Sequence, residues 1–124
     1  VAEGSLENAQ MRVHKVTCVL DAGEIVMPDQ ARQQVEGGIV QGLSAALFET
    51  APIAGGRSVK SNFDGSRVMR INEAPKVETV FINSGETIGG VGEPPTPPAI
   101  AVAGNLMAAL TGQPVRSMPL VKDA

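Results

Sequence analysis

Glu93 is the one ionisable residue in Gly89-Gly90-Val91-Gly92-Glu93-Pro94-Pro95-Thr96-Pro97-Pro98. Glycine before it and proline after it leave no adjacent side chain to crowd the carboxylate, and Pro94 restricts Glu93 to extended backbone. A carboxylate on a stiff loop ahead of a helix can be placed reproducibly, as a general base must be. On these residues alone a second role stays open and is the more ordinary one, accepting hydrogen bonds from loop amides. Gln41 is the other candidate. It interrupts the apolar stretch Ile39 to Phe48, and if buried its amide needs partners for both donors and its acceptor. Gly37, Gly38 and Gly42 lie at helical spacing around it and share a side with it. A helix face stripped of side chains around one amide admits either a ligand or a second backbone.

The remaining reactive residues point elsewhere. His14 and Cys18 are the single histidine and the single cysteine, which excludes an internal disulfide and any site built on several thiolates or imidazoles. No metal ligands are expected in this chain. Four apart in an expected strand, His14 and Cys18 should share a side and serve as packing residues. The Gly-Gly-Val-Gly run lacks the Lys-Ser/Thr of a phosphate loop and the Gly-x-Gly-x-x-Gly spacing of a dinucleotide fingerprint. A stand-alone nucleotide-binding domain therefore has only glycine count behind it.

These residues need elements to position them. Residues 11–20 alternate roughly as a strand, although Val13, Val16, Val19 and Leu20 break period two. Residues 1–6 are expected to form an earlier strand, with Glu7-Asn8-Ala9-Gln10 as the turn. Asp29 is expected to cap a helix running to about Glu49, whose apolar positions Val35, Ile39, Leu43 and Leu47 recur every four residues. Residues 51–66 suggest a hairpin or surface loop, 67–72 a short strand, and 76–83 a strand with Val77, Thr79 and Phe81 on one side. Thr96 is expected to cap a last helix with Pro97 at its first position. That helix is apolar nearly all round and hence expected to be buried, and Gly112 and Pro114 stop it. The fold class expected is α+β, a mixed sheet packed with two main helices.

Composition narrows the function further. The chain has 124 residues, one domain's worth, with 43% apolar and 19% charged residues, so it is globular rather than disordered. Ten Lys and Arg against 13 Asp and Glu argue against a nucleic-acid or anionic-membrane surface. No apolar run approaches the roughly 18 residues of a membrane span. With no Trp or Tyr and three Phe, the core is expected to lack the large aromatic residues that usually dominate burial.

Two segments carry a family resemblance. Gln34-Val35-Glu36-Gly37-Gly38-Ile39-Val40-Gln41-Gly42-Leu43 and Gly90-Val91-Gly92-Glu93-Pro94-Pro95 closely resemble the C-terminal part of the molybdenum-binding subunit of xanthine dehydrogenase-family enzymes. Ser61-Asn62-Phe63, Val68-Met69-Arg70-Ile71-Asn72-Glu73-Ala74-Pro75 and Thr96-Pro97-Pro98 look most like the isoquinoline 1-oxidoreductase beta-subunit and aldehyde dehydrogenase branch. The resemblance runs from Val1 to about Leu120. It implies a molybdenum hydroxylase that inserts a water-derived oxygen at a carbon of an N-heteroaromatic or aldehyde substrate. Glu93 matches the family's catalytic base. Gln41 matches a glutamine at the pyranopterin, and Gly38 and Gly92 fall in the same cofactor-binding segments. The cofactor implied is molybdenum–pyranopterin in its cytosine dinucleotide form, with electrons leaving through 2Fe–2S clusters on a partner subunit. The partners implied are that iron–sulfur subunit and the remainder of the molybdenum subunit. Residues 1–124 resemble only the last portion of such a subunit, so alone the chain is expected to be an incomplete enzyme. The competing reading is a non-catalytic interaction or assembly module that keeps the fold without cofactor.

Overall fold

The structure, a computed structural model, describes residues 1–8 and 10–121. Two strands, β1 (Ala2–Glu7) and β2 (Gln10–Asp21), pair antiparallel, and α1 (Pro28–Leu47) follows. A small hairpin of β3 (Ile53–Ala54) and β4 (Arg57–Ser58) and a short 3₁₀ turn at Phe63–Gly65 lead to β5 (Lys76–Ile82). β5 pairs parallel to β2, and α2 (Thr96–Thr111) closes the order. The sheet is therefore mixed, in the order β1-β2-β5, with two main helices, an α+β fold as expected. The turn between β1 and β2 is where it was expected; its Ala9 lies outside the described residues.

The broken alternation in β2 has a physical cause. Glu3 pairs with Lys15 but Gly4 pairs with Val13, so His14 is the extra residue of a β-bulge. Met11 and Val13 enter the core before it; Val16 enters after it, with Cys18 and Leu20 packed against the same core. The bulge also corrects the expectation that His14 and Cys18 share a side. His14 is exposed, with Nε2 2.8 Å from Ser5 Oγ, whereas Cys18 packs against the core. Burial pushes the Cys18 thiol pKa up.

α1 buries the stripe predicted for it, with Val35 and Leu43 fully enclosed beside Ile39 and Leu47. Its start is two residues earlier than expected. Pro28 takes the first helical position, Met27 precedes it without a side-chain cap, and Asp29 lies inside the first turn paired with Arg32 at 3.0 Å. Leu120 and Val121 donate their amides to the carbonyls of Ala46 and Leu47, satisfying acceptors that the end of α1 leaves open.

Three further expectations are corrected or refined. Residues 67–72 form no strand, and two of their amides go to side chains instead of a neighbouring strand: Met69 N donates to Ser44 Oγ at 2.9 Å and Arg70 N to Glu73 Oε2 at 2.9 Å. The 51–66 connection does contain a hairpin, turning on Gly55 and Gly56, both at positive φ as a tight primed turn requires. α2 is not enclosed. Only Ala99 and Ala103 are buried, because α1 and β1 cover one flank of α2 and leave Ala101 and Ala109 exposed.

Candidate functional site

The loop carrying Glu93 is pinned at both ends. On one side Gly89 N donates to Ala22 O at 2.8 Å, just beyond the end of β2. On the other, Thr96 N donates to Glu93 O at 3.0 Å, closing a turn through Pro94 and Pro95 into α2. Between these points the loop sits on α1. A Cβ on Gly38 would lie 2.8 Å from Gly92 O, and one on Gly92 would lie 3.1 Å from Gln34 Oε1. Glycine at 38 is thus what lets the loop backbone reach the helix. Glu93 itself is exposed at the loop's tip.

The glycine-bared face of α1 divides into two. Gly38 and Gly42 face α2: a Cβ at Gly42 would stand 2.4 Å from Thr96 O and 2.8 Å from Ala99 Cβ. Gly37 lies in the open, where a Cβ meets nothing within 4 Å, and Gln41 one turn on is exposed too. Gln41 is thus exposed, and its amide does not need partners from within this chain. Its flank is left bare by this chain, whereas the Gly38–Gly42 flank serves close helix–helix packing. The second-backbone alternative holds for Gly38 and Gly42, while Gly37 and Gln41 face open space.

Thr96 was expected to cap α2 and does not. Pro95 occupies the cap position in helical conformation, Pro97 falls at the second helical position, and the Thr96 hydroxyl donates to Gly38 O at 3.1 Å. Gln34 was also missed as a neighbour of the loop; nothing in its sequence context signals that contact. Beside the loop, an apolar groove of about 380 Å³ opens between β2 and α2, walled by Val16, Cys18, Ile39, Pro94, Pro98 and Val102.

This donor set suits a group held by hydrogen bonds rather than by coordination. Among the described residues no three His, Cys, Asp or Glu side chains gather as a metal site. What the surface offers instead is the Gln41 amide, the open space over Gly37, and main chain at Gly90, where a Cβ also meets nothing within 4 Å. A bulky polar cofactor carrying its own metal fits such a flank, because it needs close backbone approach and a few amide contacts.

Comparison with known proteins gives the same direction. Residues 3–75 match the molybdopterin cofactor-binding domain family, a span that includes Gly37, Gly38 and Gln41 and ends before Glu93. Isoquinoline 1-oxidoreductase subunit beta of Brevundimonas diminuta is 34% identical over 110 residues, covering 89% of this chain and 14% of that protein. The membrane-bound aldehyde dehydrogenase (pyrroloquinoline-quinone) of Gluconacetobacter polyoxogenes is 37% identical over 106 residues, covering 86% and 14%. The chain thus spans about a seventh of the length of these relatives. In fold it resembles quinoline 2-oxidoreductase from Pseudomonas putida 86, with a TM-score of 0.78 at 21% identity over 91% of this chain and 16% of that one.

Proposed function

We propose a function from one established premise: this chain belongs to the molybdopterin cofactor-binding domain family. Residues 1–124 act as the C-terminal segment of a larger cofactor-binding domain in a molybdenum hydroxylase. That enzyme oxidises a carbon of an N-heteroaromatic or aldehyde substrate with oxygen from water. Within it this chain supplies the base and one wall of the cofactor pocket.

Glu93 is the base. The observation that carries this reading is the seating of the loop, with Gly92 O against Gly38 and the turn closed from Thr96 N to Glu93 O, while the carboxylate stays exposed. A group held at the backbone and free at its tip can take a proton at Oε without any change of fold. Gln41 offers an amide with both donor and acceptor to the pyranopterin, Gly37 removes side-chain bulk from the approach, and Gly38 and Gly92 set the loop height. The molybdenum–pyranopterin group, in its cytosine dinucleotide form, supplies the two-electron redox couple when bound. The 2Fe–2S clusters that would accept its electrons would lie on a partner subunit.

The test is made in the full-length protein. Glu93→Gln removes proton uptake and keeps shape, so turnover per molybdenum should fall about 10²–10⁴-fold with molybdenum content unchanged. Gln41→Ala should act the other way, lowering molybdenum content and losing activity in proportion. A Glu93→Gln enzyme within a few-fold of wild type overturns the assignment of the base. Absence of molybdenum from every stoichiometric complex of the full-length protein would favour the assembly-module reading instead.

A further inference from the structure

Thr96 lies between two glycines one helical turn apart. A Cβ on Gly42 would meet its carbonyl oxygen at 2.4 Å, and a Cβ on Gly38 would meet its Oγ1 at 3.3 Å. Its hydroxyl donates to Gly38 O at 3.1 Å, and its amide donates to Glu93 O at 3.0 Å. One residue therefore ties the main chain of Glu93 to the main chain of α1. The two residues between them are prolines, whose rings fix φ and leave few soft torsions. A helix-initial threonine ordinarily uses its hydroxyl on its own helix. Here the hydroxyl crosses to the other helix, and its β-branched side chain is stiff at χ1.

We propose that Thr96 is a positioning residue for Glu93, its hydroxyl fixing the height of the Glu93 turn on α1. The proposal rests on the reading of Glu93 as the base. Thr96→Val keeps the shape and deletes the donor, whereas Thr96→Ser keeps the donor and trims the shape. Gly38 O retains its helical partner in either case, so the loss falls on the loop.

The experiment uses the full-length holoenzyme and two readouts. In Thr96→Val, kcat per molybdenum should fall about tenfold with KM and molybdenum content unchanged, and Thr96→Ser should recover to within about twofold. Hydrogen exchange of the position-96 amide, which donates to Glu93 O, should be about tenfold faster in Thr96→Val and near wild type in Thr96→Ser. If Thr96→Val does not accumulate, Thr96→Ala removes the same bond with less bulk. Wild-type turnover and wild-type exchange in the donor-less variants overturn the proposal, as does failure of serine to rescue. Glu93→Gln is measured alongside. If it is inactive while Thr96→Val is normal, the positioning role alone falls; if Glu93→Gln is active, the base assignment falls and the positioning role with it.

Discussion

Gly42→Ala and Gly37→Ala form a matched pair, five residues apart on one helix, that isolates the contact seating α2 and the Glu93 turn. Each substitution brings the same intrinsic gain, about 0.5–1 kcal/mol, from replacing glycine inside a helix. They differ in what the new Cβ meets. At position 37 nothing lies within 4 Å. At position 42 the Cβ falls 2.4 Å from Thr96 O, whereas ordinary contact begins at 3.4 Å, so α2 must retreat by 1.0 Å. The atom struck belongs to backbone and cannot rotate away. Overpacking of this kind costs about 1–3 kcal/mol, which offsets or exceeds the helix gain. The two variants should therefore differ in stability by about 1–3 kcal/mol, with Gly37→Ala above wild type. At a urea slope of about 1–3 kcal/mol per molar, their midpoints separate by roughly 1 M. Far-ultraviolet circular dichroism is the suitable probe, because the chain has no Trp or Tyr. A retreat of that size beside the proposed base should also cost roughly 10²-fold in turnover per molybdenum in the full-length protein. If both variants shift the midpoint equally and in the same direction, the close approach of α2 at Gly42 is refuted.

Other outcomes follow from single contacts. Arg67 stacks its guanidinium 3.6 Å from the Phe48 ring centroid and pairs with Glu73, so Arg67→Lys should lose about 0.5–2 kcal/mol in urea denaturation. A loss no larger than at an exposed control arginine would discount the stacking. Glu78 bonds Lys15 at 2.9 Å, with Lys76 also near, and these lysines hold its carboxyl below the ordinary 4.5. A lowered folded-state pKa means that this contribution is present above pH 4.5 and is lost as pH falls through the lower folded value. Glu78→Gln should accordingly flatten the acid side of the stability profile, and should do so less in high salt. Cys18, whose pKa is raised by burial, should alkylate at neutral pH more slowly than a free thiol; equal rates would show that the strand opens there.

Local pattern was enough for the elements whose partners are internal to the motif. The four-residue recurrence of Val35, Ile39, Leu43 and Leu47 can satisfy only a helix with one buried face, and that is what α1 is. Val77, Thr79 and Phe81 declare one face of β5 in the same way, and Gly112 ends α2 at φ 69 because glycine tolerates left-handed backbone. The motif segments also carried the resemblance that the comparisons bear out, since the types and order of their residues are linear information.

Contact between distant segments was decided by the tertiary structure alone. Val68 and Met69 look like strand residues, but among the described residues no strand pairs with them, and Ser44, 25 residues earlier, takes the Met69 amide. The bulge at His14 arises from how β1 pairs with β2, so the sequence shows its effect as broken alternation without naming the cause. Glycines 37, 38 and 42 are indistinguishable as letters. Only the arrival of Gly92, Thr96 and Ala99 makes two of them necessary for packing and leaves the third, with Gln41, facing open space. For the same reason Thr96, which in sequence is a helix cap, becomes a tie between helices. Its nearest acceptor in space belongs to Gly38, 58 residues away, and the packing of α2 on α1 brings the two together.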